Sequence, residues 1–224
     1  MNTDTRRRGT AAWLLPLAGI AYAVLSAAGD LTIGKFPSGD TAPAKLVTYY
    51  HADHAHVALG GQLYTASTLF FLLFGVALYV RVRAATATAV SAVVLVAVAV
   101  ETAGQAFGAG VYSVLGEVGA KAGLAPDSLQ ALHVFGSEAG TDAGLAVLLL
   151  AVALAGIVHR AFPRWLAWSA LVIGVAVFTP IGFLASLVFL LWTIAAGITL
   201  AISAAQPAAV HAQAPTLATP ASTL

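Results

Sequence analysis

Residues 84–106 read Ala-Ala-Thr-Ala-Thr-Ala-Val-Ser-Ala-Val-Val-Leu-Val-Ala-Val-Ala-Val-Glu-Thr-Ala-Gly-Gln-Ala. No charge interrupts the run before Glu101. Crossing the ~30 Å hydrocarbon core of a bilayer takes ~20 mostly apolar residues, and this run supplies them. Stretches of the same character occupy 11–29, 57–80, 139–158, 165–180 and 182–203. The pattern predicts an all-α, polytopic membrane protein, a bundle of six antiparallel transmembrane helices within residues 11–203.

Composition agrees. Hydrophobic residues make up 60% of the chain and charged residues 8%, against ~25% charged in a soluble domain. So few charges cannot cover a water-facing surface of this size. The length fits one domain. The net charge of +1 gives no basic footprint for a nucleic-acid partner. Cysteine is absent, which excludes disulfides, thiolate metal sites and cysteine nucleophiles.

Arginines set the expected orientation, because positive charge collects in cytoplasmic loops. Arg6, Arg7 and Arg8 precede the first span, Arg81 and Arg83 follow the second, and Arg160 and Arg164 follow the fourth. Both termini are therefore expected on the cytoplasmic side, the first as a short tail over 1–10. Trp13, Tyr79, Trp165 and Trp168 fall at inner ends, and Tyr49, Tyr50, Tyr64 and Tyr112 at or beyond outer ends, as interfacial belts would place them. Arg6–Arg8 followed by an apolar run and Ser26-Ala27-Ala28 also fits a signal peptide. The run is long for that, so an uncleaved anchor is the preferred reading.

Two outer loops are expected, over about 30–56 and 111–127. In the first, Pro37-Ser38-Gly39-Asp40 is turn chemistry. Asp40 or Thr41 is positioned to cap a short helix with Pro43 in its first turn, lying on the membrane surface. Asp127 or Ser128 is the expected cap of a long fourth helix that starts above the membrane. Thr179-Pro180-Ile181-Gly182 reads as a tight hairpin. Residues 204–224 lack the apolar content to fold and read as a disordered cytoplasmic tail.

Several segments together resemble a large group of uncharacterised six-span actinobacterial membrane proteins, related to membrane domains of unknown function. They are Tyr49-Tyr50-His51, Gly60-Gly61-Gln62-Leu63, Phe70 to Phe74 with Leu78 to Arg83, Leu129 to His133, Pro163-Arg164-Trp165-Leu166-Ala167-Trp168 and Leu190-Leu191-Trp192. The resemblance covers most of 11–203. It implies the fold and a multi-pass place in the bacterial cytoplasmic (inner) membrane, and it carries no activity.

Ionisable groups inside a membrane are costly and mark sites. At ~1.5 Å per residue, Glu101 lies ~25 Å up its span, Asp142 ~24 Å, Gln62 ~27 Å and Asp30 ~28 Å. Gln105 and Glu138 stand one turn further out than Glu101 and Asp142. The shared height predicts an outward-facing polar pocket lined by Gln62, Glu101, Gln105, Glu138 and Asp142. Carboxylates crowded in low dielectric take up a proton or a cation, so the ligand would be a metal ion, a proton or an amine. Gly136, Gly140 and Gly144 form a small-residue ridge on what would be the opposite side of the fourth helix.

A second candidate is His51, His54 and His56 with Asp53, donors that suit zinc or copper in a spacing that matches no zinc signature. Tyr22 and Trp192, near mid-bilayer, need hydrogen-bond partners there, expected from packing between the first and last spans. No complete catalytic motif is present, and no cofactor is indicated. Three functions remain open: a small binding or permease-like protein using the pocket, a metal-dependent membrane enzyme, or a non-catalytic subunit of a membrane complex. The last would associate, with its own kind or another chain, through the glycine faces of spans 3 and 4.

Overall fold

The computed structural model describes residues 14–86, 88–119, 125–138, 142–179 and 182–205. Its elements are helices: α1 (Leu14–Ile33), α2 (Pro43–Ala85), α3 (Thr88–Gly119), α4 (Pro126–Glu138), α5 (Asp142–His159), α6 (Arg164–Ala176) and α7 (Gly182–Ala205). There is no strand among the described residues. The stretches Leu14–Ile33, Pro43–Ala85, Ala89–Val118 and Leu184–Ala204 are each long and apolar enough to cross a membrane. Ala143–His159 and Arg164–Ala176 are apolar but shorter.

Neighbours in the chain are neighbours in space. α1 packs on α2, α2 on α3, α3 on α5, α5 on α6, α6 on α7, and α7 returns to α1. The ring encloses a core that includes Phe71, Phe74, Leu78, Val98, Leu148, Leu149, Leu166 and Phe189. Trp192 is buried there and donates its indole N–H to the Leu166 carbonyl at 3.2 Å. Its partner is α6, while α1 meets α7 through glycine. A Cβ on Gly197 would lie 2.6 Å from the Pro16 carbonyl oxygen, and one on Gly19 2.9 Å from that of Thr193. The same device brings α2 against α3. A Cβ on Gly116 would lie 2.4 Å from the Ala58 backbone nitrogen, and one on Gly61 2.6 Å from that of Ser113.

Three expectations are corrected. The first outer loop is short, because residues 43–56 are not a separate surface helix but the start of α2. That helix runs 43 residues, ~65 Å at the usual rise, about twice the bilayer core. The reason is that Leu46, Tyr50 and Val57 pack on Leu115 and Leu129, so the apolar stripe meets protein. Pro43 does open the helix, yet its N-cap is Ala42, with no side-chain cap. The hydroxyl of Ser38 instead meets the Asp40 carboxylate and the Thr41 hydroxyl.

The expected long fourth helix is described on either side of residues 139–141, as α4 and α5, and its continuity across them lies outside the described residues. α4 starts at Pro126, which leaves Asp127 and Ser128 inside its first turn rather than capping it. α4 packs on α2 and α3. Pro180, Ile181 and the segments 1–13 and 206–224 lie outside the described residues, and with them the hairpin apex and most of both expected tails.

At the other end, Arg81 donates through Nε to the Ala161 carbonyl at 2.8 Å. This ties α2 to the turn between α5 and α6, where Arg160 holds a left-handed φ of 56°. Arg83 donates to the Tyr79 phenol at 2.5 Å.

Candidate functional site: a buried carboxyl and an outer aromatic cluster

Glu101 sits midway along α3 with 1% of its surface exposed. Removing a carboxyl from water is expensive unless hydrogen bonds, a proton or a cation compensate. Gln105, one turn further along the same face, donates Nε2 to Glu101 Oε1 at 2.9 Å. The same nitrogen also donates to the Tyr22 phenol oxygen of α1 at 3.2 Å. Tyr22 is buried, with its ring on Phe71 and Phe189. From α5, Gly144 closes the group, since a Cβ there would lie 3.0 Å from Glu101 Oε2 and from the Glu101 backbone nitrogen. Any larger residue would press on the carboxyl.

Of the five residues expected to line a pocket, the structure brings Glu101 and Gln105 together. Gln62 is exposed on α2, because the preceding Gly60 and Gly61 set the packed face against Ile33 and Ser113. Glu138 ends α4 and Asp142 opens α5, and their side chains lie outside the described set. Residues 139–141 between them, and with them the helix-wheel relation expected for the pair, lie outside the described residues. Gly136 and Gly144 both face α3, at Val111 and Glu101, and Gly108 looks toward the Gly136 carbonyl, so these small residues are used within the chain. Beside Gly144 lies a cleft of about 420 Å³ between α3 and α5. Its lining, which includes Val96, Val100, Ala143 and Val147, is apolar.

Tyr22 is the member of the group that sequence reasoning assigned elsewhere. The available signal was the spacing of Tyr22, Ser26 and Asp30, a polar stripe at every fourth residue of an apolar helix.

A second polar cluster caps the end of the bundle opposite Arg81 and Arg160. Tyr50 of α2 and His133 of α4 are fully buried, and the phenol oxygen lies 2.9 Å from Nδ1. The Phe36 ring covers the imidazole at 4.8 Å and also meets Tyr49 and Tyr112. His133 Nε2 is sealed from solvent beneath the Pro37 and Ser38 carbonyls, short of hydrogen-bond geometry. Burial pushes the imidazole below its ordinary range, and those carbonyls partly oppose the shift. Burial likewise raises Tyr50, and it lifts Tyr49 to about 12 with help from Asp53 and Tyr112. Gln130 Nε2 reaches the Thr41 carbonyl at 3.4 Å, fastening α4 to the short loop. Tyr49, Tyr50 and Tyr112 thus belong to a packed cluster and not to an interfacial belt.

His51, His54 and His56 stand exposed on α2. His54 Nδ1 lies 3.2 Å from the His51 carbonyl, and His56 lies 3.8 Å from Asp53. No three His, Asp or Glu side chains among the described residues gather as a metal site. Comparison with protein-family models, curated proteins and solved structures finds no match to this chain.

Proposed function

We propose that this chain is a six-span protein of the bacterial cytoplasmic membrane, with both termini inside, that binds a small cation at a buried site built on Glu101. The observation that carries the reading is a carboxyl 1% exposed in the interior of a 32-residue apolar helix, hydrogen-bonded by Gln105. An ionisable group kept at such depth is costly, and such groups mark ion and proton sites. The ring of six helices that leaves α4 outside supports the span count, with the shorter α5 and α6 completing it. Arg81, Arg83, Arg160 and Arg164 at one end support the orientation, with the exposed Trp165 and Trp168 beside them.

This is a binding or permease-like role. Against the accessory-subunit reading stands the packing of Gly108, Gly136 and Gly144, which face helices of the same chain.

The test is thermal unfolding of the purified full-length protein in detergent, titrated between about pH 5 and pH 8 and separately with NaCl and KCl. A ligand that binds only the folded state raises its stability. The wild-type midpoint should respond to one of these probes and Glu101→Gln should not. The same response in both proteins would overturn the reading.

A further inference from the structure

Resting on the reading of Glu101 as a cation site, we infer that the cation is a proton and that it enters from the outer face along a seam of hydroxyl and carboxyl groups between α1, α2 and α3. The seam begins at Asp30, which is exposed at the outer end of α1 and accepts a hydrogen bond from Tyr64 of α2. One turn below Asp30 is Ser26, and one turn below that is Tyr22, both buried. Their four-residue spacing puts all three on one face of α1. Ser26 thus lies one turn from the Tyr22 phenol along the same face. The phenol and the Glu101 carboxyl are held on one nitrogen of Gln105, at 3.2 and 2.9 Å.

Toward the inner end the described buried residues are mostly apolar, with Ser91 the buried hydroxyl of α3. Beyond Glu101 the packed residues include Val94, Ala97, Val98, Phe71, Phe74 and Leu78. The buried hydroxyls of Ser67, Thr68 and Thr193 bond carbonyls of their own helices, at Tyr64 and Leu190. Among the described residues the interior is thus richer in polar side chains on the Asp30 side of the carboxyl than on the other.

Size selects the proton. A single added carbon at Gly144 would already sit 3.0 Å from Oε2, whereas a cation such as calcium needs six to eight oxygens around it. The titratable groups on this side are Tyr22 and Asp30 from α1 and Tyr64 from α2. α3 contributes Gln105 and α5 contributes Gly144, while the side chain of Asp142, the first residue of α5, lies outside the described set. The balance of the step is simple. Asp30 takes a proton from external water, each hydroxyl accepts one proton and releases another, and the Glu101 carboxylate ends protonated. Gln105 only donates, so it positions the phenol and the carboxyl and carries no proton. Transfer from the phenol to the carboxyl requires a water between them.

The test uses the full chain in sealed vesicles with the Asp30 end outward and internal pH clamped. The readout is the infrared band of protonated Glu101, identified by its loss in Glu101→Gln. The band should follow external pH. In Ser26→Ala and Tyr22→Phe its rate of appearance should fall about a hundredfold, the low end of what a positioned proton-transfer group contributes. Ser26→Ala is the small change that guards against a folding artefact in Tyr22→Phe. A Glu101 band that follows internal pH, or unaltered rates in both variants, overturns the route while leaving the site. Absence of the band with a retained NaCl or KCl response overturns the proton alone, and absence of any response removes the site as well.

Discussion

Tyr50 and His133, 83 residues apart in the chain, share a 2.9 Å hydrogen bond between two fully buried side chains. That contact fixes α4 on the N-terminal end of α2, and with Phe36 it caps that end of the bundle. Tyr50→Phe removes the phenol and leaves Nδ1 buried without its partner, an expected loss of about 1–3 kcal/mol. In a chain of this size each kcal/mol lowers the midpoint by about 2–4 °C, measurable by thermal unfolding in detergent.

The same imidazole gives the cap a pH dependence of definite sign. Burial depresses the folded-state pKa of His133, so the unfolded chain binds the proton more readily. The contribution is complete above the ordinary histidine value of about 6.5. It is lost as the pH falls from there through the depressed folded value. Midpoints of wild type and His133→Gln should converge as the pH is lowered, and parallel curves would contradict the assignment.

Phe36 holds the loop down over His133, Tyr49 and Tyr112. In Phe36→Ala, amide hydrogen exchange should quicken in residues 34–42 and in α4, with α6 and α7 unchanged. Local opening of weakly packed segments is what such exchange reads.

Glycine at helix contacts gives a paired comparison. Gly116→Ala would put a carbon 2.4 Å from the Ala58 backbone nitrogen, while a Cβ at Gly110 meets nothing within 4 Å. The first substitution should destabilise by about 1–3 kcal/mol through overpacking. The second should be neutral or stabilise by up to about 1 kcal/mol through helix propensity. Equal midpoints for the two variants would sink the packing account of α2 on α3.

Helical class and the apolar stretches were legible because hydrophobic runs report their solvent directly. The shared face of Glu101 and Gln105 was legible because four-residue spacing on a helix is fixed. Azimuth was not. Nor was the register between helices: Gly61 packs beside Ala109 and Ser113, well past Glu101, and the glycines beside Gln62 decide which face of α2 is packed, so Gln62 turns outward. The continuous α2 was hidden because residues 43–56 carry polar and histidine side chains on the face away from Leu115 and Leu129. Tyr50 with His133, and Tyr22 with Gln105, are long-range contacts that no local pattern encodes.

The most direct measurement is an infrared titration of the full-length protein in lipid nanodiscs, with isotope-labelled glutamate. The account predicts a protonated-carboxyl band that appears on acidification, is absent in Glu101→Gln and moves in Tyr22→Phe, because the phenol shares Gln105 with the carboxyl. A glutamate signal identical in wild type and Glu101→Gln would contradict it.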